Sequence, residues 1–219
     1  VVGRGGTWLR EGLAEWSGNQ VVGALLGDAQ ERRLFRATWR AYVARLDLRR
    51  TASGLLFANE ATLRDATYLD HPAVAYWRGG LVVRLLEHRI PDLRERLRAF
   101  AGDHAHAFTT LEDFVAAFGE RAIVDYYVGT TRLPDLVLAD VAVEGTSVRA
   151  AVRCSDPAWP GGEVLVRIRT AERDYLVSVA VQDGEGKLRW QGDGEPVEIE
   201  IDPERIYLDP VRSNGLWRR

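Results

Sequence analysis

The chain has 219 residues, 46% of them hydrophobic and 28% charged, and its 29 basic against 32 acidic side chains leave a net charge of -3. That balance belongs to soluble globular domains and excludes disorder, collagen-like repeats and the strongly basic face that nucleic acid or an anionic membrane requires. No apolar run approaches the length of a membrane span, and the single cysteine, Cys154, excludes an internal disulfide and a cysteine-built zinc site.

Helical periodicity governs the first part of the chain. Thr7 to Leu26 predicts a helix with Thr7 as its N-cap and with Trp8, Leu9, Leu13, Trp16, Val21, Val22 and Leu25 available for burial. Asp28 followed by Glu31 has the spacing of a capping box. A second helix runs on from it through Phe35, Trp39, Tyr42 and Leu46. Residues 49–70 have no clear period. A third helix is expected from Pro72 through Tyr76, Val82 and Leu85 to Ile90. Two glycines in its interior, Gly79 and Gly80, each cost about 1 kcal/mol relative to alanine. Their presence there implies the close approach of another backbone or of a ligand. Pro91 is suited to the first turn of a further helix, and Thr109 or Thr110 with Glu112 announces the last one, which Gly119 stops.

The pattern then changes to alternation with a period of two. Strands are expected at 136–143, 147–154, 163–170, 175–182, 187–191 and 197–201, separated by turns such as Pro160-Gly161-Gly162 and Asp183-Gly184-Glu185-Gly186. Six or seven short strands at this spacing make a small antiparallel β-sandwich. The fold class is therefore α+β, with a helical domain over residues 1–133 and a β-sandwich domain over 134–219. The second domain is the more acidic, with 11 basic and 16 acidic side chains. Basic residues are almost all arginine, Lys187 being the only lysine, which fits base composition better than selection for a ligand.

Motifs of self-contained catalysis are missing from the sequence. The four histidines, at 71, 88, 104 and 106, form no H-E-x-x-H; there is no G-x-S-x-G elbow and no phosphate-binding glycine loop ending in lysine. His104-Ala105-His106 is expected in a solvated loop, and Cys154 as a packed thiol within a strand.

Four segments carry a resemblance. Trp8-Leu9-Arg10-Glu11-Gly12-Leu13-Ala14-Glu15 resembles the W-L-x-E-G-[FL]-A-E segment of gluzincin zinc metallopeptidases of the aminopeptidase N type. Tyr76-Trp77-Arg78-Gly79 is similar to the Y-x-K-G stretch of that family. Phe108-Thr109-Thr110-Leu111-Glu112-Asp113-Phe114 resembles its T-T-x-D-F helix start, and Leu133-Pro134-Asp135-Leu136 its entry into a β-sandwich. The four occur in the family's order and cover most of the chain.

The resemblance implies a peptidase, most nearly an aminopeptidase acting on peptides, with one zinc ion. Glu11 would be the third zinc ligand and Tyr76 the catalytic donor to the oxyanion. Glu15, one turn on, would support the site from behind the ligand. The residues also have simpler readings. Glu11 is a glutamate in the early turns of a helix, where the dipole favours it; Tyr76 suits a core edge, and Glu15 a solvated face. Arg78, where the family often has lysine, keeps the charge and changes the geometry; no role follows from it. In that family the two histidines precede the ligand glutamate by more than the ten residues available before Glu11. The chain is therefore expected to be the C-terminal part of a longer protein, inactive alone, with the N-terminal half of the same protein as partner. Its lack of methionine, at position 1 included, points the same way. Alternatives are a noncatalytic helical and β-sandwich module that docks a protein partner, and the related glycyl aminopeptidase type.

Overall fold

A computed structural model describes residues 6–53, 72–105, 107–130 and 132–219. The fold class is α+β, with helices first and strands after. The chain divides into two compact units, 1–132 and 133–219.

In the first unit the described residues form α1 (Gly6–Leu26), α2 (Asp28–Ser53), a π-helix (Pro72–Arg78) that runs directly into α3 (Gly79–Arg89), α4 (Leu93–Asp103), α5 (Leu111–Phe118) and α6 (Arg121–Gly129). The core they share is apolar and aromatic: Leu9, Phe35, Leu85, Phe114, Ile123 and Tyr127 are essentially excluded from water. Full burial of side chains of this size stabilises by about 1.5–3 kcal/mol each. One polar cluster ties four of the helices together. The Glu87 carboxylate on α3 accepts from Trp16 Nε1 of α1 at 2.9 Å, from Gln20 Nε2 at 3.3 Å and from Arg94 Nε of α4 at 2.8 Å. Gln20 Nε2 also donates to Glu31 of α2 at 2.9 Å.

Several helix boundaries differ from expectation. Helix α1 is already under way at Gly6, so Thr7 lies inside it. Val21 and Leu25 near its end are exposed where burial was expected, because the packed face of α1 is carried by Trp8, Leu9 and Trp16. The capping box expected at Asp28 and Glu31 does not form. Gly27, in the left-handed region at φ 89°, turns the chain, and its carbonyl takes the first amides of α2, while Glu31 is used by Gln20. Pro91 and Asp92 sit in a turn ahead of α4. The last capping box is present at Thr110, closed by Asp113 rather than Glu112; Glu112 instead pairs with Arg121. Gly119 ends α5 at φ 78°, a conformation that favours glycine. Helix α6 has no counterpart in the sequence reading. Its run Ile123, Val124, Tyr126 and Tyr127 has strand-like propensity, and burial of all four side chains overrides it. Residues 54–71, including His71, and His106 lie outside the described residues.

The second unit consists of β1 (Leu136–Glu144), β2 (Ser147–Cys154), β3 (Gly162–Thr170), β4 (Asp174–Val181), β5 (Glu185–Gln191), β6 (Pro196–Ile201) and β7 (Leu216–Arg218). They form two antiparallel sheets, β1-β2-β5 and β4-β3-β6-β7. Alternation along β3 puts Val164, Val166 and Ile168 inside, opposite Ile199 and Ile201 of β6. Its other face carries ion pairs: Arg167 reaches Glu198 at 3.1 Å and Glu200 at 2.5 Å, and Arg218 of β7 reaches Glu198 at 2.8 Å. Cross-strand pairs of opposite charge hold the register of β3, β6 and β7 on the polar face, as the apolar rows do inside.

The segment after β6 is held by two buried carboxylates. Asp202 accepts from the amides of Ile206 at 2.8 Å and Tyr207 at 3.1 Å, and Arg212 approaches at 3.5 Å. Asp209 accepts from Leu136 at 3.1 Å and Val211 at 2.8 Å, joining the tail to the start of β1. Burial outweighs these donors and pushes Asp202 up to about 6 and Asp209 up to about 7.

Two predictions follow from these contacts. Alanine at Gly12 of α1 would place Cβ 2.6 Å from the Gly79 backbone, whereas Gly18, six residues along the same helix, has open space around it. Gly12→Ala is expected to destabilise by about 1–3 kcal/mol through overpacking. Gly18→Ala is expected to stabilise by about 0.5–1 kcal/mol through helix propensity, both read as shifts of a denaturant midpoint. The raised Asp202 and Asp209 values mean that the folded state binds protons more tightly than the unfolded chain. Their contribution is complete below the ordinary aspartate range and is lost as pH rises through about 6 and about 7. Amide exchange in β1 and β6 should therefore be slower at pH 5 than at pH 8 once corrected for intrinsic rates, and Asp209→Asn should flatten the dependence.

Candidate functional site

The two segments with the strongest resemblance meet in space. Gly12 of α1 and Gly79 at the start of α3 are in backbone contact: a Cβ on Gly79 would lie 2.9 Å from Gly12 Cα and 2.9 Å from the Trp8 carbonyl oxygen. This is the close approach expected from glycines in the third helix. It is possible only because neither residue carries a side chain, which lets the two helix backbones touch. Trp8 and Leu9 are buried on one side of the crossing, and Ala75, Leu81 and Val82 on the other.

Glu11 immediately precedes the contact on α1. Its side chain is 16% exposed, and Oε1 accepts from Nε and Nη2 of the neighbouring Arg10 at 2.9 and 2.7 Å. Arg10 itself is largely in solvent, so the guanidinium forms an outer cover over a carboxylate that is mostly withdrawn from water. Tyr76 lies in the π-helix on the turn before Gly79 and is half-buried. Glu15, one turn beyond Glu11, is half-buried rather than fully solvated. A Cβ on Gly80 would lie 2.8 Å from its Cγ, and its Oε1 accepts from Thr38 Oγ1 of α2 at 3.3 Å. Its stem covers Gly80 and its head reaches α2.

Arg78 is the residue that sequence reasoning left without a role. It ends the π-helix and is 3% exposed. Nη2 donates to the carbonyl of Thr130 at 2.9 Å and more weakly to that of Arg132 at 3.4 Å, just past the end of α6. Its guanidinium also faces the Tyr42 phenol of α2. Burial pushes that phenol above its ordinary value and the arginine pulls it the other way. The sequence held one signal for this, a lone cation between the apolar run from Ala73 and the two glycines.

The remaining candidates do not join this site. His88 is exposed on α3, and Nδ1 of His104 lies 2.9 Å from the Phe100 carbonyl at the end of α4. Cys154 is buried at the end of β2, where burial pushes its thiol up. Among the described residues no three His, Cys, Asp or Glu side chains form a metal-binding group. A three-ligand zinc site does not fit the described residues alone. No family model and no curated protein matches the chain. Among the described residues no helix is long and apolar enough to cross a membrane.

The crossing makes a further prediction. Gly80→Ala forces the Glu15 stem aside, and Glu15→Ala removes the obstruction at the loss of its contact with Thr38. A double-mutant cycle should show the double variant more stable than the sum of the single losses by about 0.5–3 kcal/mol, as expected for residues in direct contact.

Proposed function

We propose that this chain supplies the ligand glutamate and the oxyanion-binding tyrosine of a gluzincin-type zinc peptidase, most nearly an aminopeptidase. The two imidazoles and the general base would come from an H-E-x-x-H segment outside these 219 residues. The supporting observation is the Gly12–Gly79 contact, which joins the helix bearing Glu11 to the helical segment bearing Tyr76. Two motifs far apart in sequence become neighbours by their shared glycines. A noncatalytic module has no need of that coincidence.

The residues present have definable tasks in such a site. Glu11 stands on a packed helix with its carboxylate mostly out of water, so its approach to a cation costs little reordering. Tyr76 offers a neutral phenol O–H that donates to the carbonyl oxygen of the scissile amide as that oxygen gains charge. Glu15, braced against Gly80 and Thr38, holds α1 at its distance from α3. Zinc, when bound, supplies an activated water and polarisation of the carbonyl. The substrate class is peptides, with recognition of the free amine belonging to the segment outside.

The test joins the chain to an H-E-x-x-H segment in one longer polypeptide. It measures bound zinc and release of N-terminal residues from peptides. One zinc per molecule is expected, with Glu11→Gln lowering zinc affinity. Tyr76→Phe should lower kcat by about 10²–10³ with KM little changed, the loss typical of one oxyanion donor. A longer polypeptide that folds but holds no zinc, or Glu11→Gln that keeps it, overturns the reading. A noncatalytic helical and β-sandwich binding module would then replace it.

A further inference from the structure

We propose that Arg78 is a positioning residue: it locks the π-helix to the backbone just after α6 and thereby fixes the orientation of the Tyr76 phenol. The inference rests on the peptidase reading for the importance of Tyr76, and on the geometry alone for the lock.

The π-helix needs something to hold it. Such wide turns are rare, and they persist where the surroundings over-determine them. Here seven residues, Pro72–Arg78, are wound wide immediately before an ordinary α-helix. Each residue of a π-helix advances less around the axis than one of an α-helix. Relaxing the segment to α would therefore rotate Tyr76 relative to Gly79, which is itself pinned against Gly12. Arg78 stands at the junction between the two windings. It is tied to the carbonyls of Thr130 and Arg132, so one side chain anchors the junction to the residues just after α6.

Stability alone does not account for this choice of residue. Nε and Nη1 of Arg78 are buried without an acceptor among the described residues, and no acidic side chain there pairs with it. A buried guanidinium that uses part of its donor set costs more to desolvate than well-packed apolar atoms of the same volume. Its planar fork, with donors in fixed relative directions, does what a lysine or methionine would not: it sets an angle as well as a distance. An arginine here therefore secures geometry at some expense of stability.

The test labels the Tyr76 ring of the 219-residue chain with fluorine and compares wild type, Arg78→Lys and Arg78→Gln by fluorine NMR. Amide exchange over 73–79 is measured in parallel. Wild type should show one narrow resonance. In Arg78→Lys, which keeps the charge and loses the fork, the resonance should broaden or split. Exchange at 73–79 should rise about tenfold or more while Leu81–Leu86 of α3 keep their protection, the pattern of local opening. Arg78→Gln, which keeps a planar N–H donor on a shorter stem, should shift both in the same direction, and it provides the readout if Arg78→Lys does not fold. An unchanged resonance, or protection lost equally across the helical unit, overturns the proposal. In the zinc-loaded longer enzyme, Arg78→Lys should lower kcat up to about a hundredfold with KM retained, as expected of a misplaced catalytic group. A moved fluorine resonance together with full turnover by Tyr76→Phe would leave the lock standing and remove the peptidase reading.

Discussion

The helical unit depends on two glycines that touch. Gly12 and Gly79 let α1 and the start of α3 meet backbone to backbone, and a methyl group at either position would enter atoms of the other helix. From that contact the rest of the arrangement follows. Glu11 and Glu15 flank Gly12 on one helix; Tyr76 and Arg78 precede Gly79 on the other. Gly80, next in line, gives room for the stem of Glu15. A helix pair separated by ordinary side chains would hold these polar groups further apart.

The polar groups around the contact differ in what water does to them. Arg10 is exposed and its pairing with Glu11 is the kind of surface interaction that contributes at most about 1 kcal/mol. Glu11 beneath it is largely shielded, so the same pair serves chiefly to orient a carboxylate. Arg78 is the reverse case. It is buried, partly satisfied, and bonded to carbonyls rather than to an acid. A buried charge that is only partly satisfied is expensive to desolvate. A wide helical turn, itself rare, stands beside it.

The β unit is organised on other terms. Apolar alternation builds its interior, arginine and glutamate rows lace the outer face of β3, β6 and β7, and two buried aspartates fasten the chain after β6 by accepting backbone amides. These carboxylates replace strand pairing for a segment that has little regular structure. They satisfy amides that would otherwise be buried without partners.

Much of this architecture was legible from residue order alone. Alternation located six strands to within two residues, because the period of two and the Gly and Pro turns are local properties of the chain. The interior glycines of the third helix signalled a close approach, since nothing else offsets their cost in a helix. Tertiary structure decided the rest. Burial made α6 a helix against its strand-like residues. The Gly27 carbonyl, one residue before Asp28, takes the amides of Gln30 and Glu31 at the start of α2, and β7 exists only because β6 has an edge for it to join. What pressed against Gly79, the wide winding of Pro72–Arg78 and the two carbonyls that hold Arg78 all involve partners remote in sequence. Periodicity reports which face of an element is apolar; which element covers that face is set by packing, and packing is a property of the folded whole.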